Sequence, residues 1–272
     1  MSVKAGKRNL KGLWGVVTGA SGGIGLEFCR VLASRGCNLL MVAIEDDLLV
    51  ERSEEVRAEF GVNTVPLTID LTEEDAVGRI MAVLETREIQ PYILINNAGI
   101  FTFSPVMEHS EKKIERFVDL HMRATTLLCR EIGEKMVRKG AGHILNMSSM
   151  SCWMPMPGIA MYSATKAYIR VFSRALHYEL KDSGVSVTVA CPGGIATDLF
   201  GLPEKWRRFA VKIGVLAEPD AFARKAVSRM LKGRKQYING WLNHLSIFFV
   251  AILPTPVRMM VKRRMLDADI RV

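Results

Sequence analysis

The stretch Leu13-Trp14-Gly15-Val16-Val17-Thr18-Gly19-Ala20-Ser21-Gly22-Gly23-Ile24-Gly25 decides how the chain reads. A run of small and apolar residues passes straight into a glycine-rich turn, and an amphipathic stretch starts at Ile24. Glycines at 19, 23 and 25 let the backbone turn tightly and approach a pyrophosphate at a helix N-terminus, where free N–H groups and the helix dipole favour anions. A glycine-rich turn alone is weak evidence. This one lies between a strand and a helix, as that mechanism demands.

Outward from the turn, short apolar runs alternate with longer amphipathic ones, the pattern of a parallel sheet wrapped by helices. Strands are expected over 13–18, 38–43, 63–69, 92–96, 143–147 and 185–191, and helices over 24–35, 47–60, 73–87, 111–138 and 160–181. Beyond Cys191 the pattern predicts helices at 199–213 and 219–231 and a short strand at 236–238. The fold class is α/β, a doubly wound parallel sheet of the Rossmann type with about seven strands, whose ligands sit at the carboxyl ends of the strands. One catalytic domain over 1–240, with a substrate region at 198–216, and a tail over 241–272 account for the chain.

Composition narrows the classes. With 49% hydrophobic and 24% charged residues in 272, the chain is neither disordered nor fibrous. Five scattered cysteines, with no C-x-x-C pair and no secretory pattern, suit a reducing cytoplasm, and no histidine spacing suggests a metal. The net charge of +9 is unevenly spread: residues 200–272 carry 15 basic and 5 acidic side chains, and the rest carry 22 and 23. No helix-turn-helix, zinc-finger or RNA-binding signature accompanies that charge, so nucleic acid is not expected. The tail joins apolar Trp241, Ile247, Phe248, Phe249, Ile252 and Leu253 to basic Arg258, Lys262, Arg263 and Arg264. Such a segment can lie peripherally on an anionic membrane, close the site, or pack on a second subunit. Its nine-residue apolar run, 245–253, is far short of a bilayer span.

Tyr162 and Lys166 stand at i and i+4 and share one helix face. A nearby ammonium favours a phenolate, so Lys166 is expected to tune Tyr162 for acid–base work. Ser149, just past the strand at 143–147, can hydrogen-bond a substrate carbonyl.

The G-x-x-x-G-x-G turn, then Asn96-Asn97-Ala98-Gly99 and Tyr162-Ser163-Ala164-Thr165-Lys166, resembles the short-chain dehydrogenase/reductase family in several motifs and in their order, over residues 12 to about 200. The resemblance implies an NAD(P)-dependent oxidoreductase in which Tyr162 exchanges a proton with the substrate oxygen, Ser149 orients that oxygen, and Lys166 also holds the nicotinamide ribose. It further implies cofactor contacts at Gly19, Ser21, Gly23, Ile24, Gly25, Asn97, Ala98 and Gly99. Asp70-Leu71 resembles the pair beside adenine, and Pro192-Gly193-Gly194-Ile195-Ala196-Thr197 the loop around the nicotinamide carboxamide. A homo-oligomer, dimer or tetramer, is expected. One position departs: His121 stands where the family places an Asn that bends the helix and holds a relay water. An imidazole there can join the relay and add a pH dependence near neutrality, or simply pack.

The second strand ends Val42-Ala43-Ile44-Glu45-Asp46; chains of the resembled family usually carry phosphate-binding Arg at the Ile44 and Glu45 positions, and here two carboxylates stand nearby instead, so NAD is favoured over NADP. Trp153, Met154, Met156, Phe200 and Trp206 suggest an apolar substrate pocket for a steroid, bile acid or long-chain lipid ketone, or equally a packed core. Two rival readings are a non-catalytic dinucleotide sensor or scaffold and a sugar-nucleotide epimerase of the related extended family.

Overall fold

The computed structural model describes residues 9–195, 205, 216–240, 243–244, 247, 249 and 253–265. Seven strands form one sheet: β1 Trp14–Thr18, β2 Asn38–Ala43, β3 Thr64–Thr68, β4 Pro91–Asn96, β5 Gly142–Met147, β6 Val185–Ala190 and β7 Gln236–Tyr237. Their order is β3-β2-β1-β4-β5-β6-β7, and every pairing is parallel. The expected doubly wound sheet is what folds.

Alternation along each strand divides the core in two. Val17, Leu39, Met41, Ile93, Ile95 and Leu145 pack one way, onto Phe28 and Leu32 of α1 (Gly23–Ala33) and Phe222 and Val227 of α7 (Pro219–Leu231). Their neighbours Val16, Leu40, Val42, Leu94 and Ile144 pack the other way, onto Ile80 and Leu84 of α3 (Ala76–Thr86) and Leu128 and Ile132 of α5 (Thr125–Lys139). Both sheet faces are therefore covered, and the central strands need apolar residues at every position. Helices α2 (Asp46–Phe60) and α6 (Ala160–Glu179) complete the layers. Strand order reverses between β1 and β4, and the crevice at the carboxyl ends of such a switch point is where ligands bind.

Two helices differ from the periodicity reading. The helix expected over 111–138 is broken into α4 (Glu111–Val118), a π turn (Asp119–Ala124) and α5. The wider turn lets His121 point inward while Arg123 reaches the other way, bonding Asp119 Oδ1 at 2.8 Å and the Thr72 carbonyl at 2.7 Å. That guanidinium also takes up the Glu73 carbonyl at 3.2 Å, so residues expected to open α3 form a clamped turn and the helix begins at Ala76.

The expected helix at 199–213 lies outside the described residues, apart from Lys205. In the tail, α8 (Thr255–Met265) carries exposed Lys262 and Arg263, and Phe249, Met259 and Met260 are also exposed. Among the described residues no helix is long and apolar enough to cross a membrane, and none forms a metal-binding cluster.

Candidate active site

The glycine turn is held by backbone contacts that tolerate no side chain. Gly19 has φ +64°, and a Cβ on Gly25 would stand 1.8 Å from the Gly19 carbonyl oxygen. From β4's end, Asn97 Nδ2 donates to the Thr18 and Gly19 carbonyls at 3.0 and 3.2 Å. Thr18 Oγ1 accepts from the Asn97 and Ala98 amides, each at 3.0 Å. Asn97 and Ala98 thus set the turn's shape as well as lining its cleft.

That cleft measures about 440 Å³ and runs from Ser21, Gly23, Ile24 and Glu45 across Asn97, Ala98 and Gly99 to Tyr162, Lys166 and Pro192. Leu48, Ile100, Met147 and Ser148 line it too, and the sequence reading missed them. No side chain caps α1 at Gly22, which leaves the helix's first N–H groups to an outside acceptor. A dinucleotide fits this cradle: the uncapped donors would serve a pyrophosphate, and an acid and a cation mark the two ends. Glu45 Oε2 accepts from Ser21 Oγ at 2.8 Å, and Lys166 is the only cation of the described lining.

At the cation's end the expected trio converges. Ser149 caps the short 3₁₀ turn Met150–Trp153, its Oγ accepting from the Ser151 amide at 3.1 Å, and its hydroxyl reaches the Tyr162 oxygen. Tyr162 lies in the first turn of α6 and is only 6% exposed. Lys166, one turn on, donates to the Met147 carbonyl at 3.0 Å and stands 5.6 Å from the Tyr162 ring centre. Burial pushes its ammonium down to about 8. The expectation that Lys166 promotes the phenolate needs correction. Burial raises the Tyr162 phenol above its ordinary value, with Ser149 opposing and Cys152 adding to the rise, so the ring stays protonated at neutral pH.

His121 also needs correction. Its ring is fully buried, and desolvation together with the Lys166 charge holds it well below the usual imidazole range, so it carries no charge near neutrality. Nε2 accepts from the Ile100 amide at 3.1 Å. The single proton therefore sits on Nδ1 and is donated to Thr165 Oγ1 at 2.9 Å, and that hydroxyl donates to the Tyr162 carbonyl at 3.1 Å. The imidazole bridges the loop after β4 to the turn that carries Tyr162 and is uncharged at the pH where a titrating relay was expected.

Other expected residues lie elsewhere. Asp70 is bonded by the Thr72 amide and hydroxyl at 2.9 and 2.8 Å and by Arg116 at 3.3 Å. Burial works against its charge, but these donors outweigh it and hold the carboxyl below its usual range. Leu71 is in the core, and neither residue lines the cleft. Gly193 donates to Asn239 Oδ1 at 2.8 Å, and buried Ile195 bridges to Ala217. Thr197, Phe200 and Trp206 lie outside the described residues. Trp153 packs under Arg170, 4.4 Å from its guanidinium, and neither it nor Met154 or Met156 lines the cleft. The aromatic side chain beside Tyr162 is instead Phe101, edge-on at 5.0 Å, with Phe103 against Gly158. Both belong to an aperiodic loop whose only signal was its position directly after Asn97-Ala98-Gly99.

The short chain dehydrogenase family model matches residues 14–208. The chain belongs to that family. It is an NAD(P)-dependent oxidoreductase. A very-long-chain 3-oxoacyl-CoA reductase of Anas platyrhynchos is 32% identical, covering 91% of this chain and 78% of that protein. An inactive hydroxysteroid dehydrogenase-like protein 1 of Homo sapiens is 29% identical over 89% of this chain and 73% of its own length. Among solved structures, a short-chain dehydrogenase from Sphingobium yanoikuyae in complex with NADPH superposes with a TM-score of 0.77 at 27% identity, covering 93% of this chain and 97% of that one.

Proposed function

We propose that this short-chain dehydrogenase reduces the ketone of a long-chain, apolar 3-oxoacyl thioester to the secondary alcohol, preferring NADH. The observation that carries the reading is a buried, protonated tyrosine, with the Ser149 hydroxyl near its oxygen and an aromatic ring edge-on beside it, at one end of a cleft that suits a dinucleotide. A phenol held neutral is poised to donate, which suits reduction more than oxidation. The name of the 3-oxoacyl-CoA reductase relative supports the substrate class.

When bound, the reduced nicotinamide supplies the hydride. Tyr162 passes its phenolic proton to the substrate oxygen, and Ser149 Oγ donates a second hydrogen bond to that oxygen, orienting it. Lys166 stays an ammonium at neutral pH; one proton goes to Met147, and the others remain for the cofactor ribose. Ser21 and Glu45 stand at the end of the cleft away from Lys166, where the described lining holds no cation that would receive a 2′-phosphate, and this supports the NADH preference.

Turnover followed by nicotinamide absorbance, with long-chain 3-oxoacyl-CoA and a steroid ketone against each cofactor, tests the proposal. Tyr162→Phe keeps the ring's packing and loses the proton, so kcat should fall by roughly 10²-fold or more while NADH affinity holds. Near-normal turnover in that variant removes the mechanism. Activity on the steroid alone replaces the substrate class, and a tenfold preference for NADPH overturns the reading of Glu45.

A further inference from the structure

The cysteines divide into inert and reactive. Cys29, Cys37 and Cys129 are buried in the core, and burial pushes Cys37 and Cys129 up to about 12 and Cys29 higher still. Cys152 is partly exposed and lies in the 3₁₀ turn just beyond Ser149. It packs with Cys191, at the end of β6, in a small cluster with Trp153, Tyr168 and Ile169.

Though 39 positions separate the two cysteines in sequence, backbone bonds join their segments: the Ser148 amide donates to the Ala190 carbonyl and the Met150 amide to the Pro192 carbonyl, both at 2.8 Å. The Cys191 side chain lies in the cluster that Cys152 packs against, beside the Cys152 sulfur. Arg170 adds positive charge; its guanidinium stacks on Trp153 at 4.4 Å, and its buried Nε has no hydrogen-bond partner among the described residues. The neighbouring Cys191, with help from Arg170, holds the Cys152 thiol below its ordinary range despite burial, while Cys191 is held well above it. A partly exposed thiol held below its ordinary range next to a cation, with a second thiol packed beside it, is the arrangement of a reactive and a resolving cysteine.

We propose that Cys152 and Cys191 form a reversible oxidation site beside the catalytic serine, with Cys152 attacking a hydroperoxide and Cys191 resolving it. With hydrogen peroxide, the Cys152 thiolate attacks one oxygen, the O–O bond breaks, and the departing hydroxide takes a proton to become water. Cys152 is left as a sulfenic acid, oxidised by two electrons. The Cys191 sulfur then attacks Cys152; the S–S bond forms, the S–O bond breaks, and the thiol proton leaves with that oxygen as a second water. Two thiols and one peroxide become one disulfide and two waters. The bridge joins the turn after Ser149 to the segment that carries Pro192 on the cleft wall. None of these steps depends on the identity of the ketone.

The test uses the full chain, reduced and then freed of thiol. Brief iodoacetamide labelling of the native protein followed by peptide mapping should show Cys152 reacting roughly tenfold or more faster than the other four cysteines. Treatment with hydrogen peroxide should give a Cys152–Cys191 linked peptide that dithiothreitol separates. In Cys191→Ser the bridge cannot form, and Cys152 should accumulate as a dimedone-reactive sulfenic acid. Uniform labelling overturns the proposal, as does peroxide treatment that yields no linked peptide in the parent protein and no dimedone adduct in Cys191→Ser. Labelling and mapping of the unaltered chain keep the question decidable if the variant fails to fold.

Discussion

The two ends of the cleft are built from different materials. At the dinucleotide end the walls are main chain: Gly19 and Gly25 leave no room for a Cβ, and Asn97 spends its side chain on two carbonyls of the turn. At the Lys166 end, side chains from separate segments come together: Tyr162 and Lys166 of α6 line the cleft, and Phe101 from the loop after β4 and Ser149 from the turn after β5 stand beside Tyr162. Main-chain crowding fails abruptly when disturbed, whereas side-chain packing is more often graded, because neighbours can repack.

Gly25→Ala tests the rigid end and should have the largest effect. Its Cβ would meet the Gly19 carbonyl oxygen at 1.8 Å, so the turn has to move. NADH affinity should fall by roughly 10²-fold, or the fold should lose about 3 kcal/mol. A fluorescence titration with NADH and a melting curve report both, and a wild-type result in each would show that this end yields as readily as the other. Glu45→Arg comes next. It removes the acceptor of the Ser21 bond and offers a guanidinium to a phosphate, so the NADPH-to-NADH ratio of kcat/KM should rise by roughly 10- to 100-fold. An unmoved ratio would mean that cofactor choice is made elsewhere.

The same contrast explains what could be read from the sequence. Continuous apolar runs placed the sheet, because the residues of 38–43 and 92–96 divide between two packed faces and need apolar side chains on both. The glycine turn and the Tyr162–Lys166 pair were legible because each is a local spacing. The π turn was not: apolar residues continue through 119–124 in helical rhythm, and the widening comes from His121 bonding Ile100 and Thr165, which are distant in sequence. Asp70 carried the right motif, yet Thr72 and Arg116 occupy its carboxylate. Phe101 gave no periodic signal. Trp153 was open to a pocket or a packing role alike from sequence, and it stacks with Arg170, which lies on another element.

A smaller change probes the graded end. Phe101→Ala removes the ring that meets Tyr162 edge-on at 5.0 Å and should raise KM for a long-chain substrate by roughly 3- to 10-fold, with NADH affinity unchanged. A loss of cofactor affinity of the same size would mean that the two ends are not separable.

The smallest expected effect is at His121. Its imidazole is held well below its ordinary 6.5 and both ring nitrogens are engaged by the protein, so kcat/KM should show no His121 inflection between about pH 6 and 8, and His121→Asn should keep the parent's profile there. The decline should come from Lys166, whose ammonium is lost as pH rises through about 8. Stability moves the opposite way. In the unfolded chain that lysine keeps its proton to about 10.5, so between the two values the unfolded state binds more protons and unfolding becomes harder as pH rises. The same sign holds for His121: its unfolded imidazole takes up a proton below about 6.5 while the folded one resists, so acid costs stability before it touches catalysis. Rate profiles and melting curves measured across pH in parallel would separate the two. A rate inflection near pH 6.5 that disappears in His121→Asn would return the imidazole to proton transfer.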